Sequence, residues 1–140
     1  MTSTRRVPGI RAVDVRRDAR RLLELLELEA ELSVALVGDA EIRRLNATYR
    51  RVDKPTDVLA FAMREGEGVL HPEVLGDVVI SLDTAVRQAA VRGVPPADEV
   101  RLLLAHGLLH LRGYDHERSP AEARRMFGKQ RALLRALTTE

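Results

Sequence analysis

The chain of 140 residues has no cysteine and no tryptophan, and only two tyrosines and two phenylalanines. Without thiols it can form neither disulfides nor a cysteine-ligated zinc site. Four aromatic rings are too few for the stacked platform on which many proteins hold single-stranded nucleic acid, so base stacking of that kind is not expected. No apolar run approaches the ~18 residues that span a membrane, and the opening MTSTRRVPGI has no apolar core behind its arginines. These absences lead to the expectation of a cytoplasmic protein without membrane contact. An excess of one charge is missing too: 23 Lys+Arg against 21 Asp+Glu leave +2, which excludes a polybasic tail or an acidic solvating segment. What is present, 45% hydrophobic and 31% charged residues, is the composition of one folded domain over residues 1–140. Of the 23 cations 21 are arginine, which genomic codon bias explains most simply, although guanidinium also suits bidentate phosphate contacts. The stretch from Glu117 to Glu140 is locally basic, with six cations and three acids.

Apolar residues at helical spacing predict an amphipathic helix over Val15 to Leu28, with a weak strand before it around Ile10 to Val13. Leu32 to Val37 is apolar and partly β-branched, a strand, and Asp39 is placed to cap a helix from Ala40 to Tyr49. After the Lys54–Asp57 turn, VLAFAM forms a second strand ending in a loop around Gly66 and Gly68 that carries His71. A third strand, Gly76 to Ile80, leads into Ser81, the cap of a helix that ends at Gly93. Pro95-Pro96 opens the most apolar helix, VRLLLAHGLLHLR, whose leucines on nearly every face require burial. It stops at Gly113, and a capping box at Ser119 to Glu122 starts a last amphipathic helix to about Leu137. The sum is an α+β fold: a small mixed sheet of three to four strands covered by about five helices.

Three of the four histidines lie in HGLLHLRGYDH, as His106, His110 and His116. The first two are i and i+4 on a helix and can share one metal ion. Gly113 permits a positive φ that turns the chain back, so that His116 can reach the same ion. The spacing matches H-E-x-x-H-x-x-G-x-x-H of the metzincin proteases, but Gly107 stands where their glutamate general base would be. Three neutral imidazoles leave the full +2 on one zinc ion, a charge that favours an anionic phosphodiester, and the metal lowers the pKa of its water to about 7. A closed structural site is the alternative, with His71, Asp115 or a distant carboxylate as fourth ligand. A peptidase with Glu117 or Asp115 as base is another. Asp115 is expected to orient an imidazole or cap the helix end rather than bind metal, Tyr114 to pack, and His71 to lie at the surface.

Four segments, LNATYR (Leu45 to Arg50), DKPTDVLAF (Asp53 to Phe61), LGDVVIS (Leu75 to Ser81) and HGLLHLRGYDH, occur in the order seen in the YbeY family of ribosomal RNA maturation endoribonucleases, which the chain resembles over about residues 32 to 135. The resemblance implies one zinc ion per chain held by His106, His110 and His116. It also implies cleavage of single-stranded ribosomal RNA, with the small ribosomal subunit and its assembly factors as partners. Carried over from the family pattern, Arg50 takes part in RNA cleavage; a guanidinium there can hold a phosphate oxygen and stabilise transition-state charge. Otherwise it is an exposed arginine ending a helix. Lys54 and Arg51 are weaker candidates for contacts to the RNA backbone, and Asp57 is expected to fix its loop. The chain departs from the usual V-L-S-F-P of the family at Ala60 and Ala62, losing a hydroxyl at Ala60. A near-neutral balance also predicts weak, salt-sensitive RNA binding. A ribosome assembly factor with a structural zinc remains the alternative from another class.

Overall fold

Two apolar segments far apart in sequence, Glu31–Val37 (β2) and Val74–Ser81 (β4), pair in parallel at the centre of a four-stranded sheet in this computed structural model, which describes residues 1–62 and 74–138. The sheet order is β1-β2-β4-β3, with β1 at Thr2–Ser3 parallel to β2 and β3 at Val58–Ala62 antiparallel to β4. Five helices complete the α+β fold: α1 Ala12–Leu25, α2 Asp39–Arg50, α3 Leu82–Arg92, α4 Pro96–Leu111 and α5 Pro120–Thr138. Strand alternation divides the apolar residues between two layers. Val34, Leu36, Val78 and Ile80 join α1, α3, α4 and α5 in the main core, whereas Val37, Leu59 and Val79 pack with Ile42 of α2 on the other side.

The sheet and the helices follow the expected pattern, with local corrections. No strand forms around Ile10 to Val13, because the edge of β2 is already occupied by Thr2 and Ser3, opposite Ala35 and Leu36; the segment instead enters α1. That helix ends at Leu25 rather than Leu28, since Glu27 adopts a left-handed φ of 56° and the Leu28 N–H bonds back to Leu23 O, an ending that no glycine announces. At α5, Ser119 Oγ accepts the Glu122 N–H at 3.1 Å as a capping box requires, but the Glu122 carboxylate turns to Arg118 and Arg125. The Gly66–Gly68 loop, His71 and Met63 lie outside the described residues. β4 begins at Val74, ahead of the expected Gly76. A register shift between Glu31 and Leu32 leaves Leu75 unpaired opposite β2, and Gly76, at φ 146°, sits against Phe61 O where a Cβ has no room.

Asp39 is the first residue of α2 and does not cap it. The N-cap is Gly38, and the Asp39 N–H is taken by the Asp83 carboxylate at 3.0 Å, reaching across from α3. A Cβ on residue 38 would stand 2.9 Å from Asp83 Oδ2, so the glycine is required by this approach. In return the Asp39 carboxylate accepts from Ser81 Oγ and Thr84 Oγ1, both at 2.7 Å, at the start of α3. Each carboxylate thus serves the positive N-terminus of the other's helix.

α4 is buried along most of its length and meets the sheet at Gly107, where a Cβ would lie 2.9 Å from Val78 Cγ1 and 3.2 Å from Val58 Cγ2. Both valines are β-branched and Val78 is fully buried, so neither can rotate aside. In Gly107→Ala the gain in helix propensity, about 1 kcal/mol, is outweighed by overpacking of about 1–3 kcal/mol. We expect a lower thermal unfolding midpoint by calorimetry; an increase would contradict this packing. The crossed carboxylates give a second expectation. Burial pushes the Asp39 carboxyl up, but hydrogen bonds from Ser81, Thr84 and Arg87 outweigh it, and Asp83 is lowered chiefly by the Asp39 N–H and then by Arg5; both lie below the ordinary 3.8. A depressed carboxyl contributes stability above its unfolded pKa and loses it as pH falls through the folded one. Asp83→Asn should therefore be less stable than wild type near neutral pH in urea denaturation, the gap closing below 3.8; a gap independent of pH would be inconsistent with the linkage.

Candidate metal centre and cleft

One turn of α4 places His106 and His110 on the same face, with ring centroids 4.7 Å apart and Nε2 atoms 3.1 Å apart. The helix then closes in a Schellman turn: the Gly113 N–H bonds to His110 O, the Tyr114 N–H to Leu109 O, and Gly113 adopts φ 98°. This reversal returns His116 to the pair, 5.2 Å from the His106 ring and 5.4 Å from that of His110. All three imidazoles are half-buried, and one ligand atom from each lies within 4.8 Å of the others.

The donor set fits a metal ion. Tetrahedral zinc with bonds of about 2.0–2.1 Å sets its nitrogens about 3.3 Å apart, close to the 3.1 Å between the two Nε2 atoms. His116 Nδ1 is buried with no hydrogen-bond partner, an orphan that a ligand would satisfy. Burial, followed by the neighbouring His106 and His116, pushes His110 below its ordinary 6.5, with Asp115 opposing and Arg50 adding to the push. The ring is therefore neutral at pH 7, as a ligand must be.

The histidines line a cleft of about 450 Å³ together with Arg50, Asp57, Ala60 and Asp115. Arg50 is the last residue of α2, and its Nη2 donates to Ala60 O at 3.2 Å while the guanidinium lies 6.0 Å from the Phe61 ring. Because the anchor is a backbone carbonyl, the alanine at 60 holds Arg50 without a hydroxyl. Asp57 fixes its loop as expected, accepting from the Val58 N–H at 2.7 Å and from Gln88 Nε2 at 3.3 Å. Lys54 is exposed and does not line the cleft; its carbonyl accepts from Asn46 Nδ2. Asp115 lines the cleft, but its carboxylate takes the Glu117 N–H and an ion pair with Arg118.

The imidazole partner is instead Gln130 of α5, whose Oε1 lies 2.8 Å from His106 Nδ1. Sequence reasoning missed it, although a signal exists: Gln130 interrupts a buried stripe with Met126 and Leu133. Of the four aromatic rings, Phe127 and Tyr114 lie by the histidines, and the other two pair with each other from α2 and β3. Phe127 stacks on His106 at 6.1 Å and 21°, Tyr49 meets Phe61 edge-on at 5.4 Å, and Tyr114 lines the cleft.

With this geometry in view, comparison with known proteins is direct. The family model for endoribonuclease YbeY matches residues 8–138. The chain belongs to the YbeY family. The match extends beyond the four segments that first suggested it. The endoribonuclease YbeY of Geobacter metallireducens is 50% identical over 129 residues, covering 90% of this chain and 86% of that protein. That of Syntrophotalea carbinolica is 50% identical over 125 residues, covering 87% and 83%. A solution structure of a Thermotoga maritima protein superimposes with a TM-score of 0.64 at 27% identity, covering 95% of this chain and 85% of that one. YbeY relatives are named as endoribonucleases, hydrolases of RNA, and a cluster able to hold a metal accords with that class. Among the described residues no helix is long and apolar enough to cross a membrane.

If the three histidines form the metal centre, purified wild type should carry near one metal ion per chain by elemental mass spectrometry, and His110→Ala very little. Equal content in the two proteins would exclude His110 as a ligand.

Proposed function

We propose that the chain, as one domain over residues 1–140, is a zinc-dependent endoribonuclease that cleaves single-stranded RNA in small-subunit ribosomal RNA maturation. In this reading it works in the cytoplasm with the small ribosomal subunit and its assembly factors. The observation that carries the proposal is the convergence of three imidazoles and one guanidinium on a single cleft. His106, His110 and His116 would hold the ion. When bound, zinc polarises a phosphoryl oxygen and supplies an acidified water. Arg50 binds the phosphate: no carboxylate pairs with it among the described residues, so its charge is available to a non-bridging oxygen. Its anchors on Ala60 O and the Phe61 ring orient it before substrate arrives, so little reorganisation is needed as charge develops. Lys54, on the loop that follows α2, would add a point charge for the RNA backbone away from the cleft.

Three ligands opening on a cleft support catalysis over a closed structural zinc. A peptidase reading has less support. Gly107 has no space for a side chain, and the Asp115 carboxylate is already engaged. Glu117 is 4.0 Å from His116 Nε2, but its side chain is 83% exposed.

Arg50→Ala should lower cleavage of single-stranded RNA by roughly 10²–10³-fold, as for loss of one preorganised oxyanion donor, with metal content unchanged. Full cleavage by this variant would exclude Arg50 from the reaction, whereas no cleavage by metal-loaded wild type would leave the assembly-factor reading in its place.

A further inference from the structure

Gln130 is 7% exposed, on the face of α5 turned toward α4, and its Oε1 lies 2.8 Å from His106 Nδ1. An amide oxygen only accepts, so Nδ1 carries the proton and donates it. A neutral imidazole protonated at Nδ1 has a bare lone pair at Nε2, the atom 3.1 Å from His110 Nε2. A neutral histidine free in water favours the opposite tautomer, with the proton on Nε2, where it would block coordination. We infer that Gln130 is a positioning residue that holds His106 in its metal-binding tautomer and fixes the ring plane before any ion arrives. This rests on the reading of the three histidines as a metal site, and not on which RNA is cut.

Two further features agree. That tautomer turns a bare His106 Nε2 toward His110 Nε2, 3.1 Å away, so that both nitrogens can face one ion. Phe127, also on α5, stacks on His106 with an interplanar angle of 21°, so one helix supplies both the stacking ring and the acceptor. Gln130 also brings no charge. A carboxylate in its place would raise the basicity of the imidazole and bind the cation more tightly, but would offset part of the +2 that attracts a phosphodiester. A neutral acceptor supplies orientation and leaves the ion's charge intact.

The test compares wild type, Gln130→Leu and Gln130→Glu. In the metal-free proteins, two-dimensional 15N spectra of the histidine rings should show His106 protonated at Nδ1 in wild type and mainly at Nε2 in Gln130→Leu. Zinc affinity, measured by competition with a chromogenic chelator, should fall by roughly 10–100-fold in Gln130→Leu. Gln130→Glu, which keeps the acceptor, should restore it. A wild-type His106 protonated at Nε2 overturns the inference whether or not the leucine variant folds. Equal zinc affinity in folded Gln130→Leu overturns it while leaving the metal site in place, whereas a wild type that binds no zinc removes the metal reading and this inference with it.

Discussion

The backbone of α4 touches the sheet at Gly107, where Val78 and Val58 leave no space for a side chain, and this approach fixes where His106 and His110 emerge. Had the helix been held one side chain further out, the pair would move with it, away from Arg50 and the β3 backbone that anchors it. The same contact explains why the spacing of a protease metal site occurs here without the protease base. Residue 107 is a packing position, and its Cβ direction leads into two valines. Loss of the carboxylate and correct seating of the ligands are one constraint seen from two sides.

Arg50 reaches the cleft by a different route. Its helix is held at the start by Asp83 of α3 and near its end by Asn46, whose side chain donates to Lys54 O and closes the loop after the helix. The guanidinium then rests on β3 through Ala60 O and Phe61. Two halves of the site are therefore positioned by different networks that meet at β3 and β4. The acceptor that meets His106, Gln130, is uncharged, while the Asp115 carboxylate is occupied by backbone and arginine partners. Such a centre retains positive potential toward the cleft, the polarity required for an anionic substrate.

Much of this was legible in the chain because the informative patterns are local. The histidines and their turn glycine fall within one helix and its cap, so helical periodicity and a positive φ at Gly113 suffice to bring them together. Ser81 and the proline-led start of α4 follow capping rules in the same way. The misses come from tertiary choices. Asp39 has the chemistry of a cap, but Ser81 and Thr84 offer it two hydroxyls across the layer and Asp83 takes its N–H. Thr2 and Ser3 form a strand only because an edge of β2 is open to them. Gln130 lies 24 residues beyond His106, and only the docking of α5 on α4 reveals that the polar residue in its apolar stripe has a ring nitrogen to meet.

The distribution of the centre along the chain also orders its assembly during synthesis. Arg50 is made first and can settle on β3 once that strand has formed. His106 and His110 follow on α4, but they remain an incomplete pair until the Gly113 turn brings in His116. The acceptor for His106 comes later still, from the middle of α5. A nascent or truncated chain that ends before this helix thus exposes two imidazoles without the hydrogen bond and stacking ring that hold one of them. The finished geometry belongs only to chains whose last described helix has docked.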